Sequence, residues 1–200
     1  MAKKLYLFRH GETDWNKEGR IQCCIDIELN ENGLKQAKIN AKNLKDKGIE
    51  HVYASPLKRA YKTGEILADE IGAGIEIVED LKELIGGDCE GLTRQQIIER
   101  IGEENYELFA HSRQENMDFG YPNGETKREV RNRITKAIEN ICKTTPYNTI
   151  AIASHGFVLR EFIRNTDFED DSTPKNCEIV EAEYENDGKI KIIRRVKYEN

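Results

Sequence analysis

Three short apolar runs in this sequence end on groups that attract anions. Residues 5–8 (LYLF) run into Arg9-His10-Gly11-Glu12, residues 51–54 (HVYA) into Ser55-Pro56-Leu57-Lys58-Arg59, and residues 149–153 (TIAIA) into Ser154-His155-Gly156. A fourth run, 75–78, leads to Leu81-Lys82-Glu83. An arginine guanidinium is permanently charged and its planar fork matches an oxyanion. A histidine can act as nucleophile, acid or base near neutral pH, and a nearby carboxylate can move a proton. Each residue taken alone has an ordinary reading: a solvated cation, a structural histidine, a surface acid. Their coincidence at strand ends points to a held anion. His51 and His111 lack that context and are read as structural.

The elements that must position these groups alternate. The 5–8 strand is followed by a helix over 31–47, with Leu34, Ala37, Ala41 and Leu44 on one face and Gly48 to end it. The 51–54 strand precedes a helix over 57–71. Thr93 and Gln96 form a capping box that opens a helix toward Ile101. Val130, Ile134, Ala137, Ile138 and Ile141 mark a longer helix, and another follows the TIAIA strand from about Phe157. Residues 178–184 and 189–196 flank Asn186-Asp187-Gly188, a hairpin signal. The order implies an α/β fold, a three-layer α/β/α sandwich over a mostly parallel mixed sheet, with an antiparallel edge from the hairpin. In such sheets ligands bind beyond the carboxyl ends of the strands, where the groups above lie.

At 200 residues the chain is read as one domain, 1–200, able to bury a full core without disulfide staples. A net charge of −6 disfavours nucleic acid and anionic membrane as main partners, while leaving room for a local cationic pocket. No stretch is apolar for long enough to span a bilayer, and the opening MAKKLYLFRH is too short to be a signal peptide. Cys23 and Cys24 are adjacent, and Cys89, Cys142 and Cys177 stand apart, which fits neither a zinc site nor a disulfide framework. A reducing cytoplasm is the expected location. Tyr106 and Phe109 are read as core or pocket wall, and Glu99, Arg100, Glu103 and Glu104 as a solvated helical face.

Arg9-His10-Gly11-Glu12-Thr13 with Asn16, then Ser55-Pro56-Leu57-Lys58-Arg59-Ala60, Glu83, Gly124-Glu125 and Ser154-His155-Gly156 together resemble the histidine phosphatase superfamily, the phosphoglycerate mutase-like group. The resemblance covers residues 5–160 in the family's order. It implies His10 as a nucleophile that becomes phosphorylated, splitting one displacement into two. It implies that Arg9, Arg59, Asn16 and His155 hold the phosphoryl oxygens, with His10, Glu83 and His155 as the catalytic set. Glu83 would protonate the leaving alkoxide and then activate water. Gly11 would let backbone approach the phosphate, and Gly156 would let the chain turn after His155. Glu90 is read as structural. With arginines neutralising the charge, no metal and no cofactor is expected, and the partner is a small phosphorylated substrate.

Cys23 stands where the family often has glycine, Lys62 where glutamine is common, and Cys89 where tryptophan is frequent. Pocket walls are expected from 22–27 and 94–121, with Gln22 and Cys23 among them, and the arginines near Cys23 suggest a thiolate. Three functions are weighed. A phosphomonoesterase acting through phosphohistidine is the first reading. A cofactor-dependent phosphoglycerate mutase is the alternative. It would need a longer insert with extra cations, whereas Arg113 is the only basic residue between Arg100 and Lys127, and Glu115 and Asp118 would repel a substrate carboxylate. A catalytically inactive binding domain is disfavoured because His10, Arg59, Glu83 and His155 are all present.

Overall fold

Strand β1 (Lys3–Arg9) buries both of its faces, Leu5 and Leu7 on one side and Tyr6 and Phe8 on the other. A strand that is apolar throughout belongs in the middle of a sheet covered on both sides. The structure is a computed structural model and describes residues 2–111 and 116–198. The other strands are β2 (His51–Ala54), β3 (Gly74–Ile77), β4 (Thr149–Ser154), β5 (Ile179–Tyr184) and β6 (Ile190–Val196). They form one six-stranded sheet in the order β3-β2-β4-β1-β5-β6. The first four run parallel, and β5 and β6 add as an antiparallel hairpin.

Helices α2 (Glu31–Leu44) and α3 (Lys58–Ile71) cover the face that carries Tyr6, Phe8, Ala151 and Ala153, meeting it with Ala41, Leu44, Leu67 and Ala68. Helices α6 (Lys127–Thr144) and α7 (Gly156–Arg164) cover the opposite face against Leu5, Leu7, Ile150 and Ile152. This is the expected α/β/α sandwich with a mostly parallel mixed sheet. Small residues set the spacing on the α3 side: a Cβ on Gly64 would lie 3.1 Å from Cβ of Ala153. The sheet's parallel carboxyl ends all open on one edge.

Some boundaries differ from the sequence reading. The helix expected over 31–47 ends at Leu44, and a tighter turn over Lys45–Lys47 closes at Gly48, whose φ of 70° suits glycine. Strand β3 begins one residue earlier than expected. Two helices went unforeseen. Helix α1 (Asp14–Lys17) is a single turn held by a Thr13–Asn16 capping box, too short to carry a period. Helix α5 (Glu103–His111) follows helix α4 (Arg94–Ile101) after a break at Gly102, φ 86°. The Thr93–Gln96 box caps α4 as expected. Among the described residues no helix is long and apolar enough to cross a membrane.

Candidate active site

Sheet register alone brings the histidines together. Arg9 of β1 pairs with Ser154 of β4, so His10 and His155 are the next residues on adjacent strands. The His10 amide donates to the Ser154 carbonyl at 3.0 Å, and the two imidazole centroids lie 5.3 Å apart, about one strand spacing. On the other side of β4, Ala54 pairs with Ala153, which sets Ser55 beside Ser154. Arg59 comes from the first turn of α3 and is completely buried. The second turn of α3 also holds this loop, since the Gly11 amide donates to Thr63 Oγ1 at 3.1 Å.

The Gly11 carbonyl fixes the tautomer of His10, and the Ser55 hydroxyl accommodates one for His155. His10 Nδ1 lies 2.7 Å from the Gly11 carbonyl, an acceptor, so Nδ1 carries the proton and Nε2 keeps its lone pair. His155 Nε2 lies 2.8 Å from Ser55 Oγ, which also accepts from the Leu57 amide. A Ser55 hydroxyl that donates to His155 Nε2 satisfies both groups and leaves the proton on Nδ1 of His155. Burial first, then the charges of Arg9 and Arg59, push the His10 pKa well below the ordinary imidazole value. Burial, Arg59 and His10 do the same to His155. Both rings are therefore neutral at physiological pH.

Among the described residues, three buried nitrogens around these rings have no protein partner: Arg9 Nε, Arg59 Nε and His155 Nδ1, the last a donor in the tautomer above. Each guanidinium is anchored elsewhere, Arg9 Nη1 on the Pro174 carbonyl at 2.9 Å, Arg59 on the Ile25 and Cys23 carbonyls at 2.8 and 2.6 Å. A buried unpaired donor costs roughly 1–3 kcal/mol, so such a cluster makes physical sense as an oxyanion receptor. Asn16 joins it. Its Oδ1 accepts from Thr13 N and Asn176 Nδ2, both at 3.2 Å, which leaves the amide nitrogen to donate.

Glu83 stands at the N-terminus of α7. Its Oε2 accepts from the Phe157 amide at 3.1 Å, and Oε1 from the Val158 and Leu84 amides at 3.2 and 3.0 Å. Arg9, His10, Asn16, Arg59 and Glu83 share the lining of a cavity of about 190 Å³. Its other walls are largely apolar, with Ile21, Leu84, Phe109, Tyr121 and Phe157 among them. Arg20 also lines it, stacked 3.9 Å over the Trp15 ring.

Residues 5–195 match the histidine phosphatase superfamily (branch 1). The chain belongs to this superfamily. Phosphoglycerate mutase-like protein 4 of Arabidopsis thaliana is 37% identical over 161 residues, covering 78% of this chain and 68% of that protein. The uncharacterized phosphatase PhoE of Bacillus subtilis is 31% identical over 157 residues, 78% of this chain and 74% of that one. Among solved structures, phosphoserine phosphatase from Entamoeba histolytica in complex with 3-phosphoglyceric acid superposes with a TM-score of 0.77 at 26% identity, over 98% of each chain. The histidine phosphatase fold and its family membership thus rest on sequence and structure together.

Against this superfamily's frame the structure gathers Arg9, His10, Asn16, Arg59, Glu83 and His155 at one edge of the sheet, with Gln22 and Cys23 on the cavity wall. Glu90 is structural as expected, its Oε1 accepting from the Cys24 and Gly86 amides. Two expectations are corrected, for Cys23 and Asp118, and two glycines gain a further role. A Cβ on Gly11 would strike the Gly33 carbonyl of α2, so Gly11 also serves helix packing. Gly156 is the first residue of α7, and a Cβ there would lie 3.3 Å from the Arg9 guanidinium. It makes room for that arginine. Cys23 is no thiolate: burial, then Glu83 and Glu90, push its thiol pKa up and outweigh Arg59. Asp118 is exposed and pairs with Arg128 at 2.6 Å, away from the cavity lining, so it repels no substrate. Arg113 and Glu115 lie outside the described residues. Sequence reasoning missed Arg20, Phe157 and Thr173 on the walls and Thr63 behind Gly11. Arg20 and Phe157 adjoin recognised motifs, while nothing local marks Thr63 or Thr173.

Proposed function

We propose that this chain hydrolyses small phosphate monoesters through a phosphohistidine on His10. The observation that carries the reading is the set of unpartnered buried donors beside a histidine with a free Nε2. Arg9, Arg59, His155 and Asn16 hold the phosphoryl oxygens, where charge spreads in the transition state. Nε2 of His10 attacks phosphorus in line, the ester P–O bond breaks, and Glu83 delivers its proton to the leaving oxygen. Glu83, now a carboxylate, takes a proton from water. That water attacks phosphorus, the P–N bond breaks, and inorganic phosphate leaves with His10 restored.

Charge narrows the substrate. The cavity offers Arg9, Arg20 and Arg59 against Glu83. A phosphate dianion balances Arg9 and Arg59, whose buried Nε donors face it. Arg20 remains, paired among the described residues with Glu18 at 3.4 Å on the exposed side. Its plane is fixed by Trp15 and by an Nε bond to the Gly91 carbonyl at 2.7 Å. The alcohol released is therefore read as one bearing a carboxylate or similar anion. It must also be small, because about 190 Å³ falls below the ~300 Å³ lower end of ordinary ligand sites. Arg20→Met should raise KM for O-phosphoserine up to about fivefold and leave p-nitrophenyl phosphate almost unchanged.

The test of the whole reading is rapid quench. His10 should carry acid-labile phosphate during turnover, and His10→Ala should lose at least ~10³-fold in kcat while still folding. With 3-phosphoglycerate and a 2,3-bisphosphoglycerate primer, phosphate release should outrun isomerisation. Isomerisation faster than phosphate release would make the chain a mutase, and phosphate on a residue other than His10 would overturn the mechanism.

A further inference from the structure

Glu83 sits in irregular chain between a 3-10 turn at Glu79–Leu81 and another at Gly87–Cys89, with no ladder to hold it. One guanidinium does much of that work, beside the Cys24 thiol, which donates to the Glu83 and Leu84 carbonyls at 3.4 and 3.7 Å, and Ser154 Oγ, which donates to the Leu81 carbonyl at 2.9 Å. Arg133 of α6 donates through Nη1 to the Asp80 and Lys82 carbonyls, both at 2.9 Å. It grips Glu125 bidentately, Nε to Oε1 at 2.9 Å and Nη2 to Oε2 at 2.7 Å, and Nη2 leans toward the Glu83 carbonyl at 3.4 Å. Glu125 in turn binds the far side of Glu83. Its Oε2 accepts from the Ile85 amide and its own amide donates to the Ile85 carbonyl, each at 2.9 Å. The pair is mostly buried, at 18% and 15% side-chain exposure, so solvent screens it little.

We propose that Arg133, which does not line the cavity, is a positioning residue that sets where Glu83 can move a proton. The inference rests on the reading of Glu83 as acid and base. The backbone of Glu83 is tied to α6 through Arg133, while its carboxylate is tied to the first turn of α7 through Phe157 and Val158. The phosphate-holding groups depend on other elements: β1, β4 and α3. Losing Arg133 therefore loosens the proton-transfer group and leaves the phosphoryl receptor standing. A displacement of about 1 Å in such a group can cost ~10²-fold in rate.

The two chemical steps respond differently. Forming phosphohistidine from an aryl phosphate needs little help from an acid, because the phenolate leaves unaided. Breaking the P–N bond needs the base whatever the substrate was. Arg133→Met with p-nitrophenyl phosphate should give a burst of nearly one p-nitrophenolate per site, then steady turnover slowed ~10²-fold, with phosphohistidine accumulating. On an alkyl phosphate it should slow without a burst. Arg133→Lys, which keeps charge but loses the fork, should recover only part of the rate. Glu125→Gln should show a weaker version of the same burst, and serves if Arg133→Met does not fold. Slowed turnover without a burst in both variants, or wild-type rates, would overturn the proposal. Glu83→Gln separates the two claims. If it bursts while the Arg133 and Glu125 variants do not, only the positioning role fails. If it shows no burst, the reading of Glu83 fails with it.

Discussion

Acidification of the unliganded protein should destabilise it well above the range where carboxylates titrate. His10 and His155 are buried and neutral, with folded pKa values pushed well below ordinary by burial and by Arg9 and Arg59. In the unfolded chain each returns to about 6.5. Between those limits the unfolded state binds protons that the folded state refuses, so stability rises with pH. The stabilisation is fully present above about pH 6.5 and is lost as pH falls below it toward the depressed folded values. Each histidine contributes a slope of about 1.4 kcal/mol per pH unit, and the pair about 2.7. For a chain of this size that amounts to ~5–11 °C in Tm per pH unit. Thermal melts at constant ionic strength from pH 7.5 to 5.0 measure it, since carboxylate titration dominates only lower. His10→Asn and His155→Asn should each remove about half the slope. A flat Tm between pH 6.5 and 5.0, or a slope that survives in the double variant, would refute the assignment of these rings as buried and neutral.

Activity should survive EDTA, because Arg9 and Arg59 supply the positive charge at the phosphate; metal-reversible inactivation would sink the mechanism as drawn. Gly33→Ala should destabilise the fold, although alanine ordinarily gains ~1 kcal/mol over glycine within a helix. The added Cβ would collide with the Glu12 carbonyl, so a rise in Tm would show that loop and helix can separate. Cys23→Ser should leave sensitivity to mild oxidant unchanged, since the buried, protonated Cys23 thiol is unreactive; a protective effect would restore the redox role.

The sequence by itself determined the architecture and the main chemical groups. Strand periods and helical faces are local, and the strand-end rule places Arg9, His10, Ser55, Ser154 and His155 on one edge without coordinates. Arg59 follows the Ser55-Pro56-Leu57 block in the first turn of a helix, and the family resemblance is what singles out Glu83. Tertiary structure decided what depends on distant contacts. Register between β1 and β4 set the histidines side by side, the Gly11 carbonyl set the tautomer of His10, and the Ser55 hydroxyl accommodated one for His155. Burial raised the Cys23 thiol pKa where the nearby arginines alone suggested the reverse, because desolvation outweighs a charge that is itself buried and anchored. Gly11 and Gly156 proved to make room for a helix and a guanidinium, neighbours far away in the chain. Arg133 lies 50 residues from Glu83 and carries no local signal. Its partners are backbone carbonyls, which every residue possesses, so only the folded path of the chain could show what it holds.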